Sequence, residues 1–215
     1  MSFEPFRSVR GVAAVMLQPN IDTDVIIRVD HLTKSRADVG AFAFESLRYL
    51  IDGSESPNFV LNQDLFRDAP ILVTGPNFGC GSSREPAVWA IAGIGIRCLV
   101  GTTFGDIFLA NCAQNGVLVV TLEADEIAVL GAFAQTAVPV TVDLETQMVE
   151  AGPEHRWSFS ILPAAKQSLL LGLDDIELAV NDKLLIDEWQ RRDKVSRPWV
   201  WNVTQHSNLH TVTPS

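Results

Sequence analysis

Cysteine is scarce in this sequence, and the three that occur, Cys80, Cys98 and Cys112, form no Cys-x-x-Cys pair. Structural zinc sites and iron–sulfur clusters take their thiolates from closely spaced cysteines. We therefore expect this chain to bind no metal ion and no cofactor of its own. Cys98 and Cys112 lie in apolar segments, which is typical of small buried side chains. Cys80 differs because glycines flank it on both sides.

Basic residues are also few, since 16 lysines and arginines stand against 26 acidic residues, for a formal net charge of −10. A nucleic-acid binder needs an excess of positive charge to neutralise phosphates, so that class is excluded. Long apolar runs are absent as well, because the uncharged stretch at 87–96 is too short to cross a bilayer. Residues 1–7 lack the basic start and apolar run of a signal peptide. We therefore expect a cytoplasmic protein without membrane contact.

No internal repeat and no low-complexity linker interrupts the 215 residues. We therefore expect one domain over 1–215, with a loosely held tail over about 201–215. The mean hydropathy of +0.17 is high for an acidic chain. Two interpretations stay open: a large core, or an apolar face that a partner covers.

The apolar periodicity predicts strands and helices that alternate along the chain, followed by a group of short strands and further helices. Strands are predicted at 11–17, 70–74, 96–100 and 117–121, and helices at 41–50, 86–92, 104–113 and 123–133. The tail has short β runs at 138–144, 148–151 and 157–161, then helices at 164–171 and 181–194. The alternation from about 70 to 133 indicates a parallel α/β layer, to which the later strands add an antiparallel group.

A glycine-rich loop, Gly75–Glu85, joins the predicted strand at 70–74 to the predicted helix at 86–92. Glycines let a backbone turn sharply and approach a ligand closely. A helix start offers free N–H groups to an anion, and Arg84 adds a guanidinium fork that matches a carboxylate. The loop therefore predicts an anion-binding site that contains a serine.

A second interpretation of this loop is purely structural. Ser82 and Glu85 fit the Ser-x-x-Glu capping box, and Pro86 is acceptable in a first helical turn. Capping does not account for the Gly79–Gly81 cluster or for the second serine, Ser83. The whole pattern therefore favours a functional site.

Two acidic residues, Asp22 and Asp24, surround Thr23 ahead of the apolar run at 25–27. Taken alone, they are typical of a turn and a helix N-cap. A structural role is therefore the prediction for this pair.

Several motifs in the same order resemble one known family. They are NIDTDVII at 20–27, NFGCGSSRE at 77–85, FGDIF at 104–108 with Asn111, Asn115-Gly116, and LGLDDI at 171–176. With these motifs the chain resembles the small-subunit family of 3-isopropylmalate dehydratases, which belongs to the aconitase superfamily. The resemblance covers nearly the whole length.

The resemblance implies a three-layer β/β/α swivelling domain, as at the C-terminus of aconitase, which closes over a large subunit. It implies that this partner, in a hetero-oligomer, carries a 4Fe–4S cluster whose iron acts as a Lewis acid. The reaction would be that of a hydro-lyase: 2-isopropylmalate loses water to give isopropylmaleate, and water returns at the neighbouring carbon to give 3-isopropylmalate, a step of leucine biosynthesis.

The resemblance also implies roles for individual residues. Ser82 would be the base that removes the carbon-bound proton, while Ser83 and Arg84 would bind a substrate carboxylate. Glu85 would be a structural partner. The supporting residues around the loop would be Gly79, Cys80, Gly81, Asp22, Thr23 and Asp24.

Two positions depart from the family pattern. Pro86 stands where the family usually has histidine, and Arg28 stands where it commonly has proline. Arg28 could take over a contact with a substrate carboxylate, so we add it to the predicted substrate-binding residues.

Three other functions stay open from the sequence. The chain could be the small subunit of a hydratase for another short diacid, such as citraconate or dimethylmaleate. It could be a non-catalytic anion-binding or assembly module, which the loss of histidine at Pro86 suggests. A hydrolase with Cys80 as nucleophile would need a base, and no histidine lies near it in the sequence.

Overall fold

Strands and helices alternate along the first two thirds of the chain, and an antiparallel group of strands follows. The structure, a computed structural model, describes residues 3–81, 84–181 and 183–201. The strands are β1 Ser8–Gly11, β2 Ala13–Met16, β3 Ile71–Thr74, β4 Cys98–Gly101, β5 Leu118–Thr121, β6 Val140–Asp143, β7 Met148–Ala151 and β8 His155–Ser158. The helices are α1 Thr23–Ile26, α2 Glu45–Arg48, α3 Glu85–Gly93, α4 Asp106–Gln114, α5 Ala124–Ala134, α6 Pro163–Leu171, α7 Asp175–Asn181, α8 Lys183–Ser196 and α9 Pro198–Trp201. Short 3-10 turns occupy Val29–His31, Val39–Phe42 and Val60–Asn62.

The central sheet is parallel and has the strand order β2-β3-β4-β5. Leu72 of β3 lies opposite Ala14 of β2 and Leu99 of β4. Every residue of β3 and β4 is buried, as expected for a parallel sheet that is covered on both faces. The predicted parallel α/β layer is confirmed.

Alternate residues of the central strands face two different cores. Leu72 and Leu99 pack in the core that includes α3 and α4. Ile71 and Val73 pack in the core that includes α5 and the antiparallel strands. The antiparallel sheet has the order β1-β6-β7-β8. The layers are therefore helices, parallel sheet and antiparallel sheet, which confirms the predicted three-layer β/β/α architecture.

The prediction of one continuous strand at 11–17 is wrong. The segment divides at Val12 into the end of β1 and the whole of β2. β1 pairs antiparallel with β6, whereas β2 pairs parallel with β3. Because Val12 and the apolar β2 form one uninterrupted run, the sequence pattern does not show that the chain passes from one sheet to the other at this residue.

The prediction of one helix at 41–50 is also wrong. A 3-10 turn ends at Phe42, and the single-turn α2 begins at Glu45. Between them Phe44 adopts a left-handed conformation with φ 55°, and its N–H donates to the carbonyl of Ile26 at 2.9 Å. The Phe44 side chain is fully buried. Tertiary packing therefore overrides the local helical pattern at this point.

Contacts divide the chain into two compact units, which separate after Asp175. The second unit contains most of α7 together with α8 and α9, and α8 corresponds to the helix predicted at 181–194. Within it Asp193 accepts hydrogen bonds from Arg197 Nε at 2.6 Å and from Trp201 Nε1 at 2.9 Å. The single domain over 1–215 stays a prediction, and the predicted tail lies outside the described residues except for Trp201.

The described ranges contain the helices α1 to α9. None of them has the length and the apolar composition needed to cross a bilayer.

Candidate active site

The glycine loop leaves the carboxyl end of β3 and runs beside the segment that leads into α1. Asp22 and Cys80 form a parallel bridge. The Gly79 N–H donates to the carbonyl of Ile21 at 2.7 Å, and the Thr23 N–H donates to the carbonyl of Cys80 at 3.0 Å. The two sequence motifs at 20–27 and 77–85 therefore lie side by side.

Asp22 is the N-cap of α1. Its Oδ1 atom accepts a hydrogen bond of 2.8 Å from the backbone N–H of Val25, which is the usual task of an aspartate at this position. The structural role predicted for Asp22 is confirmed. Thr23, the first residue of the helix, is buried.

The third motif, at 104–108, follows the carboxyl end of β4 and contacts the glycine loop. Thr103 Oγ1 accepts from the N–H of Asn77 at 2.8 Å, and the Gly105 N–H donates to the carbonyl of Phe78 at 2.9 Å. The Phe78 ring meets the Phe108 ring edge-on, with centroids 5.7 Å apart. Three segments that are distant in the sequence thus form one packed junction.

Gly79 is required by this junction for two reasons. Its φ is +71°, in the region that favours glycine. A Cβ atom at this position would lie 2.3 Å from the ring of Phe108. The loop therefore takes its shape from contact with α4, the helix that carries Phe108.

A pocket of about 290 Å³ opens where the three segments meet. Its lining residues are Thr23, Asn77, Gly79, Cys80, Gly81, Arg84, Gly105, Asp106, Ile107 and Phe108. Ser82 and Ser83 lie outside the described residues, but their chain neighbours Gly81 and Arg84 both line this pocket. Five of the predicted site residues are therefore brought together.

Arg84 provides the positive charge of the pocket. Its side chain is only 18% exposed, and Nη1 donates to Oδ1 of Asp24 on α1. Asp24 itself is 56% exposed and is not among the residues that line the pocket. The acceptor that holds the Arg84 guanidinium group thus lies outside the set of residues that line the pocket.

This chain is similar to known proteins along most of its length. Residues 3–125 match the family model of the aconitase C-terminal domain. The 3-isopropylmalate dehydratase small subunits of Roseobacter denitrificans and Afipia carboxidovorans are each 44% identical over 200 residues, which cover 92% of this chain and 100% of the relative. The chain belongs to the 3-isopropylmalate dehydratase small-subunit family. The resemblance seen in the motifs is thereby confirmed.

A solved structure agrees with this assignment at the level of the fold. The crystal structure of a 3-isopropylmalate dehydratase from Methanocaldococcus jannaschii matches with a TM-score of 0.63 and 23% identity. The match covers 84% of this chain and 98% of that chain. Both chains therefore have the same architecture.

The capping-box interpretation of the loop is wrong for this member of the small-subunit family. Helix α3 begins at Glu85, with Arg84 at the N-cap position, so Glu85 is not the third residue of a box that begins at Ser82. Glu85 Oε1 instead accepts from Asn115 Nδ2 at 3.0 Å. This contact is consistent with the structural role predicted for Glu85.

The start of α3 offers fewer backbone donors than a typical helix start. Pro86 has no N–H, and the N–H of Ala87 donates to the carbonyl of Arg84 at 3.0 Å. Among the described groups at the start of α3, the side chain of Arg84 therefore carries the positive charge that can bind an anion.

Arg28 is not brought to the pocket in this family member. Its Nη2 atom lies 2.9 Å from Asp30 Oδ2, and its Nε atom lies 3.7 Å from Glu45 Oε2. Its side chain is half exposed and lies outside the set of lining residues. A contact between Arg28 and substrate stays a prediction.

The three cysteines differ in burial as predicted. Cys98 and Cys112 are fully buried, which raises the pKa of both thiols, whereas Cys80 is half-buried and lines the pocket. Within the described ranges no group of three or more histidine, cysteine, aspartate or glutamate side chains could hold a metal ion. These donors do not fit an iron–sulfur cluster.

Sequence reasoning missed five pocket residues: Asn77, Gly105, Asp106, Ile107 and Phe108. Asp106 and Ile107 line the pocket at the first turn of α4. Both belong to the motif at 104–108, which supported the family resemblance but received no role in the site. A position at the carboxyl end of a parallel strand is the signal that could have found them.

Proposed function

We propose that this chain is the small subunit of a 3-isopropylmalate dehydratase. It acts with a large subunit in the cytoplasm to interconvert 2-isopropylmalate and 3-isopropylmalate through isopropylmaleate, in leucine biosynthesis. The observation that carries the proposal is the 44% identity to small subunits of that name over their whole length. The pocket at the junction of the three motifs supplies a place for the chemistry.

Arg84 binds a carboxylate of the substrate in this proposal. A guanidinium group has five N–H donors in a planar fork, and the bond to Asp24 uses one nitrogen, Nη1. Nη2 and Nε are left for a substrate carboxylate, which Arg84 meets from a mostly buried position. Burial strengthens such a pair because less water competes for it.

Ser82 removes the carbon-bound proton, as the family resemblance implies. Gly81 and Arg84, which flank the Ser82–Ser83 pair in the chain, line the pocket, and this supports access of the segment to a bound diacid. The deprotonated Ser82 oxygen takes the proton, the C–H electron pair forms the new double bond, and the C–O bond of the adjacent carbon breaks with its electron pair on the departing hydroxide. The proton and the hydroxide together make up the one water that is lost. Rehydration at the other carbon reverses these steps. General-base catalysis of this kind contributes about 10²–10⁴-fold in rate.

The large subunit supplies what this chain lacks. Since the described side chains do not fit a cluster, we assign the 4Fe–4S group to that partner, where its iron would polarise the leaving hydroxyl. The contribution of this chain is to bind the carboxylate, place the base and cover the site.

The test is a hydratase assay of this chain reconstituted anaerobically with the large subunit encoded alongside it. Isopropylmaleate, citraconate and dimethylmaleate are the substrates, and loss of their ultraviolet absorbance is the readout. We expect turnover of isopropylmaleate. Turnover of citraconate or dimethylmaleate alone would assign the chain to another diacid. No turnover with an intact cluster would favour the non-catalytic module.

The same assay tests the base. Ser82→Ala should abolish turnover while the two subunits still assemble, because only the proton acceptor is lost. Ser8→Ala, on the exposed part of β1, is the matched control and should behave as the unaltered chain does. Full activity of the Ser82 variant would refute the assignment of the base.

A further inference from the structure

The ion pair between Asp24 and Arg84 connects two motifs that lie 60 residues apart. Within the described parts of the chain, Asp24 is the one hydrogen-bond acceptor of the Arg84 guanidinium. The two side chains differ in exposure, at 56% for Asp24 and 18% for Arg84. The carboxylate therefore approaches the guanidinium from the solvent side.

The backbone fixes Asp24 relative to the pocket. Asp24 lies in the first turn of α1, directly after the N-cap Asp22 and the buried Thr23. The N–H of Thr23 is bonded to Cys80 in the glycine loop. The backbone of Asp24 is thus tied to the wall of the pocket.

An arginine side chain has several rotatable bonds, and immobilising it on binding a ligand reduces affinity. A partner that already holds one nitrogen removes part of this cost before the ligand arrives. Because Asp24 is half exposed, water screens much of the repulsion between its charge and a bound carboxylate, while its hydrogen bond to Nη1 is made to a mostly buried guanidinium group. The net effect on carboxylate binding is therefore favourable.

We infer that Asp24 is a positioning residue for Arg84: it holds Nη1 so that the remaining N–H donors face the pocket. This inference rests on the proposed function. Asp24 does not touch the substrate, and it acts on carboxylate binding through Arg84 alone.

The first test uses the reconstituted complex and isopropylmaleate. Asp24→Ala should raise KM about tenfold, within the range of coupling energies for contacting residues, and should change kcat less than about threefold. The KM of Asp24→Asn, which keeps an acceptor oxygen, should lie between that of the unaltered chain and that of Asp24→Ala. Glu145→Ala is the matched control, because its carboxylate is 54% exposed and pairs with Arg7, and it should leave KM unchanged.

The second test is a double-mutant cycle. In an Arg84→Ala background, Asp24→Ala should lower kcat/KM less than about twofold further, because the group through which it acts is gone. A full tenfold loss of kcat/KM in the Arg84→Ala background would overturn the inference. An unchanged KM when Asp24→Ala is the single substitution would overturn it too.

A third measurement does not depend on turnover. Phenylglyoxal modifies free guanidinium groups, and peptide mass spectrometry of the full chain reports the rate at Arg84. Asp24→Ala should make Arg84 react several times faster, and Glu145→Ala should not. An unchanged rate of Arg84 modification would refute the positioning role even if no diacid is turned over. A faster rate together with no turnover in the hydratase assay would count against the proposed function alone.

Discussion

Asn115 donates a hydrogen bond of 3.0 Å to the carboxylate of Glu85, and this bond ties the end of α4 to the first residue of α3. The same Nδ2 atom donates to the carbonyl of Asn111 at 2.9 Å. Its Oδ1 atom accepts from Trp89 Nε1 at 2.9 Å. Asn115 is buried, so one amide group fixes the residue that directly follows Arg84.

Asn115→Ala should destabilise the protein by about 1–3 kcal/mol, because Trp89 Nε1 and the Glu85 carboxylate lose their partner in a partly buried place. The measurement is the free energy of unfolding in urea. Asn58→Ala, at an exposed loop position, is the control and should change stability by less than about 0.5 kcal/mol. Equal stability of the two variants would show that the amide network contributes nothing.

Thiol labelling should distinguish the three cysteines. Burial raises the pKa of Cys98 and Cys112, and neither sulfur is accessible to a reagent. Ellman's reagent at neutral pH should therefore modify one thiol of the native chain, Cys80, and all three in guanidinium chloride. Cys80→Ser should show no reaction in the native state. Rapid modification of a second native thiol would contradict the burial of these two side chains.

Local pattern was a good guide where a residue's neighbours in the sequence are also its neighbours in the fold. The buried runs that form β3 and β4, and the left-handed Gly172 that ends α6, follow directly from composition and spacing. The role of Asp22 as an N-cap also depends only on the next three residues. These features were predictable because their causes are local.

The remaining features depend on contacts between distant segments. Phe44 is left-handed because its N–H reaches Ile26 and its ring fills the core, which no local pattern expresses. The partner of Arg84 could not be found by spacing either, since Asp24 lies 60 residues away. For the same reason spacing did not show that Arg28 pairs with Glu45.

Acid should weaken the turn between β6 and β7. The backbone N–H of Thr146 donates to Asp143 Oδ1 at 2.7 Å, and with the Thr146 hydroxyl it lowers the pKa of this carboxyl below its ordinary value of about 3.8. A lowered pKa stabilises the folded state above the unfolded pKa, and this contribution is lost as pH falls through the folded pKa.

The comparison of Asp143→Asn with the unaltered chain measures this effect. The unaltered chain should be the more stable of the two at pH 7, and the difference in the free energy of unfolding should shrink as pH falls below about 3.8. Glu154→Gln, at the exposed turn after β7, serves as the control for loss of a surface carboxylate. A difference that is constant from pH 7 to strongly acidic pH would mean that the charge of Asp143 is not what stabilises the turn.

Two glycines with similar φ angles allow the cost of backbone strain to be measured apart from the cost of a steric clash. Gly53 and Gly79 have φ values of +81° and +71°. A Cβ atom at Gly53 would meet nothing within 4 Å, whereas at Gly79 it would lie 2.3 Å from the ring of Phe108. Gly53→Ala should therefore cost only the left-handed strain, about 1–2 kcal/mol in the free energy of unfolding.

Gly79→Ala should cost clearly more than Gly53→Ala, because the loop or the ring must move in addition. The displaced loop carries Cys80 at the pocket wall and leads to Arg84, so turnover of the reconstituted complex should fall as well, while Gly53→Ala should leave it unchanged. Phe108→Ala tests the cause: it removes the ring, so its combination with Gly79→Ala should be less destabilising than the sum of the two single changes. Strict additivity would mean that the ring is not the obstacle, and the strain of a left-handed alanine would then account for the whole effect.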